Sequence, residues 1–286
     1  MVNKRKVVPY LLVSPYIVHF FLFVAFPVIF SVVLTFHNWN IISPMKYTGL
    51  NNYIRLFNDA TFFKSLVNTL IFLAIHIPLQ ITVALFLAEI LNQKIKLRGI
   101  FRGAFFMPVI VSGVVVTILW QQLFGFDTGL LNRLLTGIGL GKIGWLTDPN
   151  IAMSSIAIMA TWKNVGLYIV LFLVGLQTVP VQYYEAADLE GATHWQKFFK
   201  ITLPIINPMI FMVVILSTIG GFSLFIEPYI MTGGGPMNST ISAVLYIYKQ
   251  GFFFNHMGYA ATLGLFFAFI ILAVVVIQKK FIEKDN

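Results

Sequence analysis

Six long apolar runs set the plan of this chain, at about 10–36, 65–91, 103–124, 152–178, 205–229 and 258–278. A helix needs about 20 mostly apolar residues to cross a hydrocarbon core, and every run reaches that length. The pattern predicts an all-α membrane protein with six transmembrane helices. The first run is too long for a signal-peptide core and lacks a small-residue cleavage site, so it is expected to remain as a span. Pro78, flanked by His76 and Gln80, is expected to kink the second run. The third runs from Gly103 past Pro108 to Trp120 and Gln121.

The connections carry patterns of their own. In GLNNYIRLFND (49–59), Tyr53, Leu56 and Phe57 fall at helical spacing, which predicts a short helix lying on the membrane surface. The stretch 125–150 is rich in Gly and Asn and is expected to cap the outer mouth. TGGGPMNST (232–240) predicts an outside turn with little freedom to be helical. The polar remainder is too small for a separate soluble domain, so residues 1–286 read as a single membrane domain.

Composition and charge add orientation. Hydrophobic residues make up 58% of the chain and charged residues 10%, against roughly 25% charged in soluble domains. Mean hydropathy is +0.86. With the N-terminus inside, twelve of the nineteen Lys and Arg fall in inside segments, six fall outside, and Lys163 lies within a span. This split predicts both termini, and the 179–204 loop, in the cytoplasm. The net charge of +9 resides in short juxtamembrane loops and makes no basic face on a soluble helix, so nucleic acid is not an expected partner. The chain has no cysteine, which excludes disulfides and thiolate chemistry. His19, His37, His76, His194 and His256 are scattered, without metal-ligand spacing. Nothing in the pattern argues for an enzyme acting alone.

The loop after the fourth run is unusually structured. Pro180 suits the first turn of a helix, Gln182 to Glu190 is helix-permissive, and Gly191 is a left-handed stop. Thr193 and Gln196 form a T-x-x-Q capping box that starts a second helix through Trp195, Phe198, Phe199 and Ile201 to Pro204. Glu185, Asp188 and Glu190 make the first helix acidic, while Ala186 and Ala187 keep its surface flat. Such a knob can be gripped by a partner with basic groups. The plainer reading is an interfacial helix that merely joins two spans.

This segment, EAADLEGATHWQKFFKITLP (185–204), resembles the EAA motif of permease subunits in binding-protein-dependent ABC importers, whose pattern is EAAxxDGAxxxxxFxxIxLP. Glu185, Ala186, Ala187, Gly191, Ala192, Phe198, Ile201, Leu203 and Pro204 match, and Glu190 stands where the pattern has Asp. GLNNYIRLFND, SLVNTL (65–70), TGGGPMNST and MGYAA (257–261) are similar to the carbohydrate-uptake group, of the maltose or glycerol-3-phosphate permease type. The large outside domain and the two extra N-terminal helices of the maltose-type protein are not expected here, so functions tied to them are not carried over. The resemblance implies the type I ABC importer permease fold, with Glu185, Ala186, Ala187, Asp188, Glu190 and Gly191 on a coupling helix that docks an ATPase. It also implies a bacterial cytoplasmic membrane location and a heterodimer with a second EAA-type permease. Two cytoplasmic ATPase subunits, an extracytoplasmic sugar-binding protein and membrane lipid complete the implied partners. No cofactor is expected on this chain, and ATP and Mg would sit on the ATPases. GIGLGKI (137–143) is not a phosphate loop, because Thr136 stands at the first glycine position and Ile143 at the Ser/Thr position.

Polar groups at bilayer depth are functional candidates because they are costly there. Lys163 and Asn164 lie midway along the fourth run, with Leu167 a turn on, while Ser217, Gly221 and Leu224 share a face of the fifth. Aligned without gaps from the EAA motif, these positions coincide with the sugar-lining positions of the maltose-type permease. Lys163 on the path would favour hydroxyl-rich or anionic sugars. The plainer readings are that Gly220 and Gly221 pack helices, that Ser217 back-bonds within its helix, and that Lys163 meets carbonyls or a partner acid. His76 and Gln80 are expected to bond between helices, and Glu227 to serve a gate or a salt bridge. Alternatives from other classes are an ion-driven secondary transporter, which would need intramembrane acids, and a membrane signalling or receptor subunit.

Overall fold

The computed structural model describes residues 4–93 and 96–282, so Lys94 and Lys284, counted above in the inside segments, lie outside the described residues. Among the described residues, five helices are long and apolar enough to cross a membrane: Leu12–Leu34, Ala60–Asn92, Ala152–Gln177, Asn207–Met231 and Met257–Lys280. Arg98–Ile110 and Gly113–Leu123 make a sixth crossing if taken together, but they are bent by 97°. The third span expected at about 103–124 thus falls on two helices that meet at a sharp bend. Val111 and Ser112 leave the helix for extended backbone. A Ser–Gly pair one turn after a proline is a known site of sharp kinks, and the β-branched run before it propagates a helix poorly.

The described chain divides into two compact units, 1–62 with 246–270 and 63–245 with 271–286. In the first, span one ends in a two-stranded antiparallel ribbon that pairs His37 with Tyr47, a small departure from an all-helical reading. The predicted surface helix forms at Asn51–Phe57. Asn52 donates to the carbonyls of Thr35 (2.9 Å) and His37 (3.0 Å), fixing that helix to the end of span one. Asp59 Oδ2 accepts the hydroxyls of Tyr246 and Tyr259, both at 2.6 Å, while Oδ1 accepts the amides of Thr61 and Phe62, both at 3.0 Å. Arg55 lies 3.9 Å over the Tyr259 ring. Burial raises the Asp59 pKa, but the hydrogen bonds outweigh it and hold the carboxyl below its ordinary value. Burial, with the carboxylate beside it, pushes the Tyr246 phenol up.

In the second unit, span four is the most buried helix. Its Val165, Ile169, Phe172, Leu173 and Leu176 pack with Ala84, Ala88 and Leu91 of span two and with Val213 of span five. In lipid this association comes from packing rather than from water exclusion, so small residues matter. Gly166 lies against the Phe105 carbonyl so closely that any side chain would clash with backbone. The stretch 125–150 is organised around the buried Asn132. Its amide donates to the carbonyls of Phe126 (3.0 Å) and Ile143 (2.9 Å) and accepts from Ile143 N and Trp145 Nε1, both at 3.0 Å. A helix at Leu130–Gly137 lies within this stretch, which composition alone had not marked.

Candidate functional site

Two sites emerge, and both lie in the second unit. The first is the loop after span four. Pro180 takes the N-cap position, just outside the first turn, and the helix runs Val181–Leu189. Gly191 adopts φ +76°, and the Gly191 and Ala192 amides donate back to the Asp188 (3.1 Å) and Ala187 (2.9 Å) carbonyls. This is the reversal that a left-handed residue permits. Both capping-box bonds form, Thr193 N to Gln196 Oε1 at 2.7 Å and Gln196 N to Thr193 Oγ1 at 3.4 Å. Lys197 closes on Asp188 at 2.6 Å, and Tyr184 meets Thr202 at 2.8 Å, so the two helices brace each other. Glu185, Ala186, Asp188, Glu190 and Gly191 are exposed, and Ala187 is half-buried. Val179 and Ile206, at either end of the loop, belong to the packed core. The knob therefore stands on a firm base.

The second is a cavity of about 240 Å³ between spans two, four and five. It brings together Lys163, Asn164, Ser217, Gly221 and Leu224, with Phe72, His76, Tyr168, Ser223 and Glu227 also in its wall. Leu167 is not in the wall. It is exposed, and Tyr168 one position on contributes its longer ring instead. Ser217 does not back-bond within its helix; it donates to Gln80 Oε1 at 3.0 Å. His76 Nδ1 meets Thr161 Oγ1 at 2.8 Å. The two glycines divide their roles. A side chain on Gly221 would strike Leu73, whereas Gly220 faces open space. Asn164 donates to the Ala160 carbonyl at 2.9 Å, leaving its amide oxygen to the cavity.

Lys163 meets Glu227 at 3.7 Å, with only 15% and 12% of the two side chains exposed. The sequence offered both residues but not their pairing. The Lys163 ammonium also lies over Gly113, where an added Cβ would sit 2.7 Å away, at the start of the second half of the broken span. Three elements thus meet at one cation. Helix Gly113–Leu123 is tied in turn to span five, because Gln121 Nε2 donates to the carbonyls of Ile230 (3.0 Å) and Met231 (3.2 Å).

Residues 80–284 match the model of the family described as binding-protein-dependent transport system inner membrane component. The chain belongs to that family. It is similar to the probable ABC transporter permease protein YurN of Bacillus subtilis, 39% identical with 99% of this chain and 98% of that protein covered. It is also similar to the arabinooligosaccharides transport system permease protein AraP of Bacillus subtilis, 36% identical with 97% and 89% covered. The lactose transport system permease protein LacF of Rhizobium radiobacter is 39% identical, with 89% and 87% covered. Among solved structures, the fold matches a chain of a bacterial alginate ABC transporter in complex with an alginate pentasaccharide-bound periplasmic protein. That match has a TM-score of 0.82 at 24% identity and covers 96% of this chain and 93% of the other. As a member of this family, the chain is a multi-pass membrane protein and a transport permease subunit.

The four short motifs that carried the resemblance pair off in space. Asp59 and Arg55 of GLNNYIRLFND contact Tyr259 of MGYAA. Asn68 of SLVNTL donates to the carbonyls of Asn238 (2.8 Å) and Ile241 (3.0 Å), holding the turn TGGGPMNST and the residue after it. These motifs hold structure, and none of their residues lines the cavity.

Proposed function

We propose that this chain is one half of the membrane pathway of an ATP-driven importer of a sugar, an oligosaccharide or related glycoside. The sugar class rests on similarity to AraP and LacF over nearly the whole chain. Both termini and the 179–204 loop lie in the cytoplasm in this reading, which the basic-residue count supports. Glu185, Ala186, Ala187, Asp188, Glu190 and Gly191 dock the ATPase, which alone carries ATP and Mg. Their exposure on a braced helix supports that role. An external binding protein delivers the sugar, a second EAA-type permease completes the pathway, and this chain performs no catalysis itself. Closure of the ATPases on ATP pushes the coupling helix, and the cavity alternates between the two sides by differential binding to two states.

The observation that carries the proposed path is the cavity where Lys163, Asn164, Ser217, Gly221 and Leu224 converge. Its volume of about 240 Å³ falls below the roughly 300–1,000 Å³ of complete small-ligand sites, as befits a half-site closed by the second permease. Reconstitution with the partner permease, ATPases and binding protein tests the reading. Sugar uptake and ATP hydrolysis should rise with the loaded binding protein. Hydrolysis that ignores both binding protein and ligand would count against an importer.

A further inference from the structure

We propose that Glu227 is a ligand-facing residue, which with Lys163 holds a sugar hydroxyl between them and sets the cavity against acidic glycosides. The inference rests on the sugar-importer reading and deepens it. The pair meets at 3.7 Å, beyond the roughly 3.2 Å limit of a good N–H···O hydrogen bond. The ammonium therefore keeps its donors and the carboxylate its lone pairs, although both groups are largely withdrawn from solvent and both line the cavity. Partly desolvated charges are stabilised when a ligand completes their hydrogen bonding. A hydroxyl does so at both ends, because it donates to the carboxylate and accepts from the ammonium. The Asn164 amide oxygen in the same wall accepts a neighbouring hydroxyl.

The pair also fixes the sign of the site. Lys163 alone would attract a carboxylate-bearing sugar, but the two opposite charges give the cavity no net charge. An acidic sugar that reached Lys163 would face Glu227 across the same gap, and like charges in a low-dielectric cavity repel strongly. Hydroxyls meet no such penalty. Lys163 thus serves neutral, hydroxyl-rich ligands, and Glu227 makes the discrimination.

The test uses the complete importer in vesicles, with neutral arabino-, malto- and galacto-trisaccharides and trigalacturonate as probes. The wild type should import a neutral trisaccharide and reject trigalacturonate. Glu227→Gln should lower neutral uptake about tenfold or more, as expected for losing a charge-assisted hydrogen bond. Because that change strands a buried Lys163, the double variant Lys163→Gln with Glu227→Gln is the control for folding. It should melt as the wild type does and still import poorly. Recovery of wild-type uptake in the double variant would make the pair a structural latch only and overturn the inference, as would wild-type import of trigalacturonate. Failure of every sugar would instead bring down the importer reading itself, and this inference with it.

Discussion

Single residues in this chain do their work through bonds that a hydropathy profile does not register. Asp59 accepts four hydrogen bonds, two from tyrosines and two from amides that begin span two. Its folded pKa is depressed, so its stabilising contribution is complete above the ordinary carboxylate value, near pH 4, and is lost as pH falls through the folded value. Asp59→Asn is expected to cost about 1–3 kcal/mol at pH 7 and to flatten the fall in melting temperature below about pH 4. Thermal unfolding in detergent across that range reads both. Asn132 is a comparable hub, with four bonds on one buried amide. Asn132→Ala leaves those partners bare and should destabilise the protein by about 2 kcal/mol or more. Unchanged melting would show that water replaces the side chain without loss.

At the scale of elements, the coupling loop and the broken span differ in how legible they were. The loop is built from local rules, a glycine stop and a capping box that act within a few residues, and both form where the sequence placed them. Its proposed function is testable by charge reversal. Glu185→Lys, on an exposed position, should leave the permease folded and assembled while uptake falls about tenfold or more, the usual scale for a disrupted charge pair at an interface. Full uptake would return the loop to a connector. The break at Val111–Ser112 was less legible, because a proline and a Ser–Gly pair permit a kink without requiring one. The close approach of Gly166 to the Phe105 carbonyl fixes the first half of that span. Gly166→Val should therefore destabilise the fold by about 1–3 kcal/mol, whereas Gly220→Ala, in open space, should be near neutral. Melting of the two variants side by side checks the contrast.

For the molecule as a whole, the prediction concerns sidedness. The chain has no cysteine, so single introduced thiols report position cleanly. Thr193→Cys is expected to react with an impermeant maleimide only from the cytoplasmic face of membrane vesicles, and Asn238→Cys only from the outer face. Labelling of both from one side would overturn the proposed crossing of span five between them. The motif pairs also act at this scale. Asn68 with the 232–240 turn, and Asp59 with Tyr259, join segments far apart in the chain.

By itself the sequence marked the apolar runs, the expected sidedness, the structured loop at 179–204 and the family, because hydropathy, charge bias, caps and stops act over one helix or one turn. It also marked Lys163, Asn164, Ser217, Gly221 and Leu224, because polar or small residues at bilayer depth are conspicuous against their neighbours. Tertiary structure alone decided that Tyr168 rather than Leu167 joins them, that Ser217 reaches Gln80, and that Glu227 stands opposite Lys163. Those outcomes depend on how helices rotate and how near they approach. A one-dimensional pattern gives each helix its faces but not the neighbour that each face will meet.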